Sequence, residues 1–358
     1  MITTFFKRVG HLRRPIFQFP IFFFQFIFLI FAAASCVTED VGDDTPSGNF
    51  ETFWKILDEH YCFFDYKADA YGLDWNEVRS RYAPAISAGM SDEALFEVLA
   101  NMVNELRDGH VNLYASHDVA RYGAWFDAYA ANFSDSLQRI YLGTSSDYKQ
   151  TSSLKYKIFD DNIGYVRCAT FSSVFGDGNL GELMRQLALC NGLIIDIRNN
   201  GGGQLTAAQK LASLFINEKT TLAYMQHKTG TAHDAFSCME PIEQTPFSGL
   251  RWQKPVCVLT NRSTYSAANS FVMFVKGLDG VTIVGDVTGG GAGMPLSSEL
   301  PNGWSLRFSA CPMYDRNGAL TEFGIEPDVR VDISADDYAR GIDTIIEAAR
   351  LILTRSAK

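Results

Sequence analysis

Two continuous apolar segments near the middle of the chain constrain its fold most strongly. Residues 192–197 and 255–260 are mostly apolar, and each is followed by a turn of small or polar residues and then by a helix-like segment. Strands that are buried on both faces of a parallel sheet have this continuous pattern, whereas strands with one solvent-exposed face alternate. A hairpin pattern at 154–168 and a helical pattern at about 335–354 complete the alternation, which indicates an α/β core.

A helical segment precedes this core. Ser91 is a predicted N-cap, and apolar residues then recur at helical spacing as far as Leu106, before the stop signal Gly109. We therefore expect a small N-terminal helical region over residues 50–115 and an α/β core over residues 116–358.

The start of the chain has the composition of a secretory signal. Basic residues precede an apolar run at 15–35, whose last residues are small and lead directly to Cys36. A cysteine at this place resembles the acylated residue of bacterial lipoproteins, so we expect residues 1–35 to be removed and Cys36 to carry a lipid. Residues 36–49 would form an acidic tether on the bacterial cell envelope. A membrane-spanning segment that stays attached is the alternative.

Charge and cysteine content exclude some classes of partner. The 358 residues carry a net charge of −10, without a Lys/Arg-rich stripe after residue 15, which argues against nucleic acid as a partner. The cysteines form no Cys-x-x-Cys pair and no cluster with histidine, so we expect no metal site. Their disulfide pairing stays open.

The turn after the first apolar segment contains three consecutive glycines, Gly201, Gly202 and Gly203. Glycines leave backbone N–H groups bare and able to approach a ligand closely. Such groups can form an oxyanion hole, which stabilises a developing negative charge. A tight strand-to-helix turn without chemistry is the alternative interpretation.

Hydroxyl and imidazole side chains occur at two other turns. Ser263, Thr264 and Ser266 follow the second apolar segment and begin a helix, where a nucleophile gains from the field of the helix N-terminus. Any of the three could instead cap the helix; we predict that Ser263 and Thr264 are turn residues. His110 follows an Asp-Gly pair between a helix end and a strand. Taken alone, such a histidine is more often structural than catalytic.

In order and spacing, these motifs together resemble those of the carboxyl-terminal-processing and tricorn-core serine peptidases. The segments concerned are 106–110, 196–203, 261–269, 285–291 and 322–329. The resemblance covers roughly residues 90–332. It implies a crotonase/ClpP-like spiral core and an acyl transfer to water that needs no cofactor.

The resemblance also implies roles for individual residues. Ser266 would be the nucleophile, His110 the base that takes its proton, and Glu322 the acid that holds the imidazole. Gly291 stands where family members of the Ser–Lys type have a lysine, which favours a histidine base.

The oxyanion hole would be formed by the N–H of Ala267 together with the region of Gly202 and Gly203. Too few residues separate His110 from the strand at 154 to hold the PDZ domain of processing proteases. Selection for a C-terminal tail is therefore not assumed.

We predict an exported, lipid-anchored serine peptidase that hydrolyses peptides or unfolded protein segments. An esterase with the same triad is one alternative. A second is a member with a decayed site that binds an apolar ligand or a peptide, because retinoid-carrier proteins share this fold and the chain is 13% aromatic.

Overall fold

The computed structural model describes residues 42–356. The predicted signal 1–35 and the acylated Cys36 lie outside the described residues, as does the first part of the tether. Helix α1 (Pro46–His60) begins inside the predicted tether, with Thr45 as its N-cap. Within the described part of the chain, no helix is long and apolar enough to cross a membrane.

Helices come first, as predicted. After α1 they are α2 (Phe64–Tyr71), α3 (Trp75–Tyr82), a 3-10 turn (Ala83–Ala85) and α4 (Asp92–Glu105). The hydroxyl of Ser91 accepts a hydrogen bond from the N–H of Ala94 at 3.3 Å and so caps α4. The helix ends at Glu105, before the glycine stop, and Arg107 then takes a positive φ of 46°.

The elements that follow alternate between strands and helices. They are β1 (Asn112–Tyr114), β2 (Val119–Arg121), α5 (Ala124–Asp127), α6 (Asp135–Leu142), β3 (Lys149–Thr151), β4 (Leu154–Ile158), β5 (Ile163–Cys168), α7 (Asp177–Leu187), β6 (Gly192–Asp196), α8 (Leu205–Ala212), a 3-10 turn (Ser213–Phe215), β7 (Thr220–Met225), β8 (Glu240–Gln244), β9 (Val256–Thr260), α9 (Ala267–Val275), β10 (Val281–Gly285), β11 (Gly293–Glu299), β12 (Ser305–Tyr314), β13 (Val329–Arg330), α10 (Ala335–Ala339) and α11 (Thr344–Ser356).

The larger sheet contains both predicted buried strands. Its order is β13-β10-β9-β6-β5-β4-β3, and the pairs from β13 to β5 are parallel. Every residue of β6 and β9 is buried, because α7, α8 and α9 cover one face and α11 covers the other. Strands β4 and β5 form the predicted hairpin. The mixed α/β fold with an N-terminal helical region is thus confirmed.

A second, antiparallel sheet was not foreseen from the sequence. Its order is β2-β1-β12-β7-β8, and β11 pairs with β12. The N-terminal helices pack on it, since Phe53, Leu99, Leu306 and Phe308 belong to one buried cluster. This packing brings the segment after α4 to the strands of the core.

Candidate active site

The site lies where strands β6 and β9 end. The carboxyl ends of adjacent parallel strands meet at one edge of a sheet, which is where α/β proteins commonly bind ligands. The backbone N–H of Tyr265 donates to the carbonyl of Asn200 at 3.0 Å and so joins the two turns. The glycine turn and the hydroxyl turn are therefore neighbours.

The Asp-x-Arg part of the glycine motif is structural. Arg198 is buried, and its guanidinium contacts Asp196 at 2.7 Å and Asp343 at 3.0 Å. Asp343 precedes α11, so the pair fixes the end of β6 to the C-terminal helix. The guanidinium and the two carboxylates thus pair with one another, as buried charges must.

Ser266 has an unusual backbone conformation. It precedes α9 with φ 56° and ψ −126°, and its N–H donates to the carbonyl of Gly290 at 2.9 Å. A non-glycine residue in such a region costs free energy and persists only where the surroundings fix it. The turn between strand and helix holds the side chain at the site, and a strained turn of this kind carries the nucleophile in α/β-hydrolases.

His110 contacts this serine directly. Its Nε2 lies 2.8 Å from Oγ of Ser266, although the two residues are 156 positions apart in the chain. Burial lowers the pKa of His110 to about 4, and Asp108 only partly offsets this effect. The imidazole is therefore neutral at pH 7 and able to accept a proton. Within residues 42–356, its buried Nδ1 has no hydrogen-bond partner.

Asp108 fixes the turn that carries the histidine. Its Oδ1 accepts the backbone N–H of His110 at 2.7 Å, and its Oδ2 accepts hydrogen bonds from Tyr61 and Ser309 at 3.0 and 2.8 Å. Burial raises the pKa of Asp108, but the charges of Lys67 and His110 and the hydrogen bonds from His110 and Ser309 outweigh this effect. The pKa is therefore lowered, and the carboxylate is ionised. The sequence motifs predicted no role for Asp108, although it is the first residue of the Asp-Gly-His motif.

Glu322 is buried in the same region but is not bonded to the imidazole. Its Oε2 accepts the N–H of Ala292 at 2.9 Å, and its Oε1 lies 3.4 Å from Nζ of Lys67. Burial raises its pKa to about 8, Asp108 adds to this, and Lys67 opposes it. The described contacts of Glu322 do not include His110. The direct triad drawn from the resemblance therefore differs from the observed geometry.

Gly291 leaves no room for the lysine of the Ser–Lys type. A Cβ at this position would lie 2.5 Å from the ring of Tyr265, and its φ is 77°. The ring of Tyr265 in turn packs against that of His110, with centroids 4.9 Å apart. The ring of Tyr265, which packs against His110, therefore occupies the space that a side chain at residue 291 would need.

The predicted oxyanion donors are not equivalent. The N–H of Gly202 donates to Oδ1 of Asn200 at 2.9 Å, so it is already engaged. In the part of the chain that the structure describes, the N–H groups of Gly203 and Ala267 have no acceptor. Both residues line a cavity of about 120 Å³ together with Ser266. Ala267 and Gly203 are therefore the available pair.

The cavity beside Ser266 is largely apolar. Leu205, Met294 and Met313 form much of its wall. A second cavity, of about 360 Å³, is lined by residues that include Gly109, Tyr122, Phe126, Asn199, Ser263 and Tyr265. Ser266 lines the first of these cavities, and its neighbours Ser263 and Tyr265 line the second.

Cysteines and metal-binding side chains were the other candidate groups. The six cysteines among the described residues are free thiols, and most are buried. Across residues 42–356, no group of three His, Cys, Asp or Glu side chains is arranged to hold a metal ion.

Comparisons with known proteins identify the family of the chain. Residues 162–331 match the model of peptidase family S41, and residues 43–104 match that of the tricorn protease C1 domain. A solved structure from Parabacteroides merdae, described as a candidate peptidase, is 47% identical with a TM-score of 0.82 and covers 87% of this chain and 97% of that one. The chain belongs to peptidase family S41.

Curated relatives are more distant. The carboxy-terminal processing protease CtpA of Bacillus subtilis is 24% identical over 204 residues, which are 56% of this chain and 41% of that protein. The tricorn protease of Thermoplasma volcanium is 23% identical over 284 residues, which are 78% of this chain and 23% of that protein. The alignments thus span less than half the length of these relatives.

Proposed function

We propose that the chain is a serine peptidase in which Ser266 is the nucleophile and His110 its base. The distance of 2.8 Å between Oγ and Nε2 carries this proposal. A neutral buried imidazole can take the hydroxyl proton as Oγ attacks a carbonyl carbon. The N–H groups of Ala267 and Gly203 would then stabilise the oxyanion.

The second half of the reaction reverses the proton transfer. The C–N bond breaks, and His110 gives its proton to the departing amine. Water then attacks the acyl-enzyme, with the same imidazole as base, and Ser266 is released. Each step uses only residues of this chain.

Glu322 would act on this cycle through charge. In the transition state His110 becomes a cation in a buried place, which is costly unless negative charge lies nearby. The carboxylate of Asp108, and that of Glu322 once it is ionised, supply this charge from the same buried cluster. Glu322 therefore stays in the proposed catalytic set, without a direct hydrogen bond to the ring.

An extended peptide fits the surroundings of Ser266. Among the described strands, β11 pairs with β12 alone, so no second strand lies along its other edge. Its first three residues, Gly293, Met294 and Pro295, line the cavity beside Ser266. A substrate segment could add to this edge by backbone hydrogen bonds and place a side chain in the cavity. We therefore propose peptides or unfolded protein segments as substrates.

We also propose that the mature protein is lipid-anchored through Cys36 and exported to the bacterial cell envelope. The basic, apolar and small-residue pattern before Cys36 supports this. Mass spectrometry of the membrane-bound form should find an acylated Cys36 as the first residue. Recovery of an unmodified Cys36 in the mature chain would contradict the anchor.

The activity is tested with a fluorophosphonate probe and a substrate panel. The full mature protein should be labelled at Ser266, whereas the Ser266→Ala variant should not. Unstructured peptides and matching esters then separate a peptidase from an esterase. Absence of labelling and of turnover, combined with tight binding of a peptide or an apolar ligand, would support the binding-protein alternative.

A further inference from the structure

Lys67 is a fully buried lysine from helix α2 that the mechanism above does not use. Its side chain has no exposed surface, and it lies among the rings of Tyr61, Phe63 and Phe323 at 5.7 to 6.0 Å from their centroids. Lysine is almost never fully buried unless it is paired. The cost of burying its charge must therefore be offset by specific contacts.

These contacts all lead to the candidate site. The ammonium donates to the carbonyls of Leu106 and Arg107 at 2.7 and 3.1 Å, and to Oε1 of Glu322 at 3.4 Å. It also lies 4.0 Å from Oδ2 of Asp108. The two carbonyls belong to the turn after α4 that leads into His110. One ammonium thus joins the histidine turn to Glu322, which comes from a segment more than 200 residues later.

We propose that Lys67 is a positioning residue of the catalytic centre, holding Glu322 and the turn that carries His110 in one fixed arrangement. This inference rests on the proposed function. It gives the N-terminal helices, which match the tricorn protease C1 domain, a part in the chemistry of the core.

Charge balance is the physical reason. Lys67, Asp108 and Glu322 form a buried cluster of one ammonium and two carboxylates. When both acids are ionised, the cluster carries one net negative charge, which balances the imidazolium of His110. Without the ammonium, two carboxylates in one apolar space repel each other, and Glu322 would hold its proton to higher pH. Glu322 would then be neutral while the imidazolium of His110 forms in the transition state.

Other titratable groups face this cluster from several elements. Those whose pKa responds to Glu322 are Tyr61, Cys62, Tyr66, Tyr71 and Tyr265, and burial keeps each of these neutral near pH 7. Arg307 acts on His110 and Tyr265. Lys67 is thus the cation bonded to Glu322 in the described part of the chain.

The test measures the rate of fluorophosphonate labelling of Ser266 against pH in the full mature protein. Lys67→Met should lower the rate at pH 7 by about 100-fold, the cost of a misplaced catalytic group. The rise in rate that follows ionisation of Glu322 should move to higher pH. In a Glu322→Gln background, Lys67→Met should lower the labelling rate by about tenfold or less, because the effects of two substitutions in contacting residues are not additive.

Tyr71→Phe is the matched control. The Tyr71 hydroxyl lies on the same helix and donates to the same carbonyl of Leu106, at 2.9 Å, but it has no hydrogen bond to Glu322. Tyr71→Phe should therefore keep the pH profile of the wild type. If Lys67→Met does not fold, Lys67→Gln, which retains an N–H donor without the charge, carries the same measurement.

The outcomes separate the two proposals. A wild-type protein that is not labelled at all overturns the proposed function. A labelled wild type with an unchanged rate and pH profile in the folded Lys67 variant overturns the role of Lys67 alone. Equal costs of Lys67→Met in the wild type and in the Glu322→Gln background would reduce Lys67 to a structural anchor.

Discussion

The Nε2 of His110 and the Oγ of Ser266 lie 2.8 Å apart, on turns from two different parts of the fold. The histidine follows a helix that packs on the antiparallel sheet, and the serine begins a helix of the parallel sheet. Hydrogen-bond distance between a nucleophile and a base is the geometric condition for activating a serine. Activity should therefore depend on both turns keeping their places.

His110→Ala should remove almost all activity. The loss of the base from a serine hydrolase typically costs on the order of 10⁴-fold or more in kcat. Turnover of an unstructured peptide and labelling by a fluorophosphonate should fall together. His227→Ala is the control, since His227 is half-exposed and pairs with Glu240 away from the site. Near-normal turnover in the His110 variant would contradict the assignment of the base.

The pH profile should have two rises. Neutral His110 is the active form, and its pKa of about 4 places the first rise well below the 6.5 of a free imidazole. Glu322 balances the imidazolium only when ionised, and its pKa of about 8 places the second rise there. Glu322→Gln should abolish the upper rise and keep the lower one. Measurement of kcat/KM from pH 3 to 10 checks both, and an upper rise that survives in the Glu322→Gln variant would exclude Glu322 as its source.

Gly202→Ala should abolish activity. A Cβ on Gly202 would lie 2.7 Å from Cβ of Ser266 and 2.8 Å from the backbone nitrogen of Ala267, and its φ is 98°. The nucleophile turn must therefore move. Gly201→Ala is the matched control, because a Cβ there meets no atom within 4 Å. Labelling kinetics and thermal unfolding of both variants test the prediction, which equal activities would contradict.

Ser266→Gly should be inactive but more stable than Ser266→Ala. Both variants lack the hydroxyl, and only glycine accepts the φ of 56° without strain. Relief of the strain should raise the free energy of unfolding by about 1 kcal/mol, after the entropic cost of glycine is subtracted. Urea denaturation measures the difference. A less stable glycine variant would mean that the conformation of Ser266 is not strained.

Local patterns were sufficient for the core, and the family resemblance carried by short motifs selected two site residues. The apolar runs of β6 and β9 predicted buried parallel strands, and both form with all residues buried. The Asp-Gly-His and hydroxyl motifs singled out His110 and Ser266, which the fold brings together. Each of these signals lies within a few consecutive residues.

The antiparallel sheet could not be read in the same way. Strands β1 and β2 have three residues each, and Asn112 of β1 pairs with Arg307 of β12. Strands this short carry little alternation, and a pairing so distant in sequence leaves no local pattern. The sequence predicted a strand after His110, but only the folded chain shows the strands with which it pairs.

The contacts of polar groups were also beyond the sequence. Whether the N–H of Gly202 is free depends on the side chain of Asn200, and the partner of Glu322 depends on a helix far upstream. The one available signal was Lys67 itself, which shares a helix face with Phe64, and these two are the buried residues of α2. A lysine on an otherwise apolar helix face indicates that its charge is buried and paired with another group.

Asp108 fixes the histidine turn and is itself held by hydrogen bonds from Tyr61, which precedes it in the chain, and from Ser309, which follows it by 201 residues. During synthesis, Ser266 is made before Ser309 and before Glu322. A growing chain can therefore contain the nucleophile while the turn that aims its base still lacks a support. We therefore expect a chain that ends before Ser309 to lack the proposed activity.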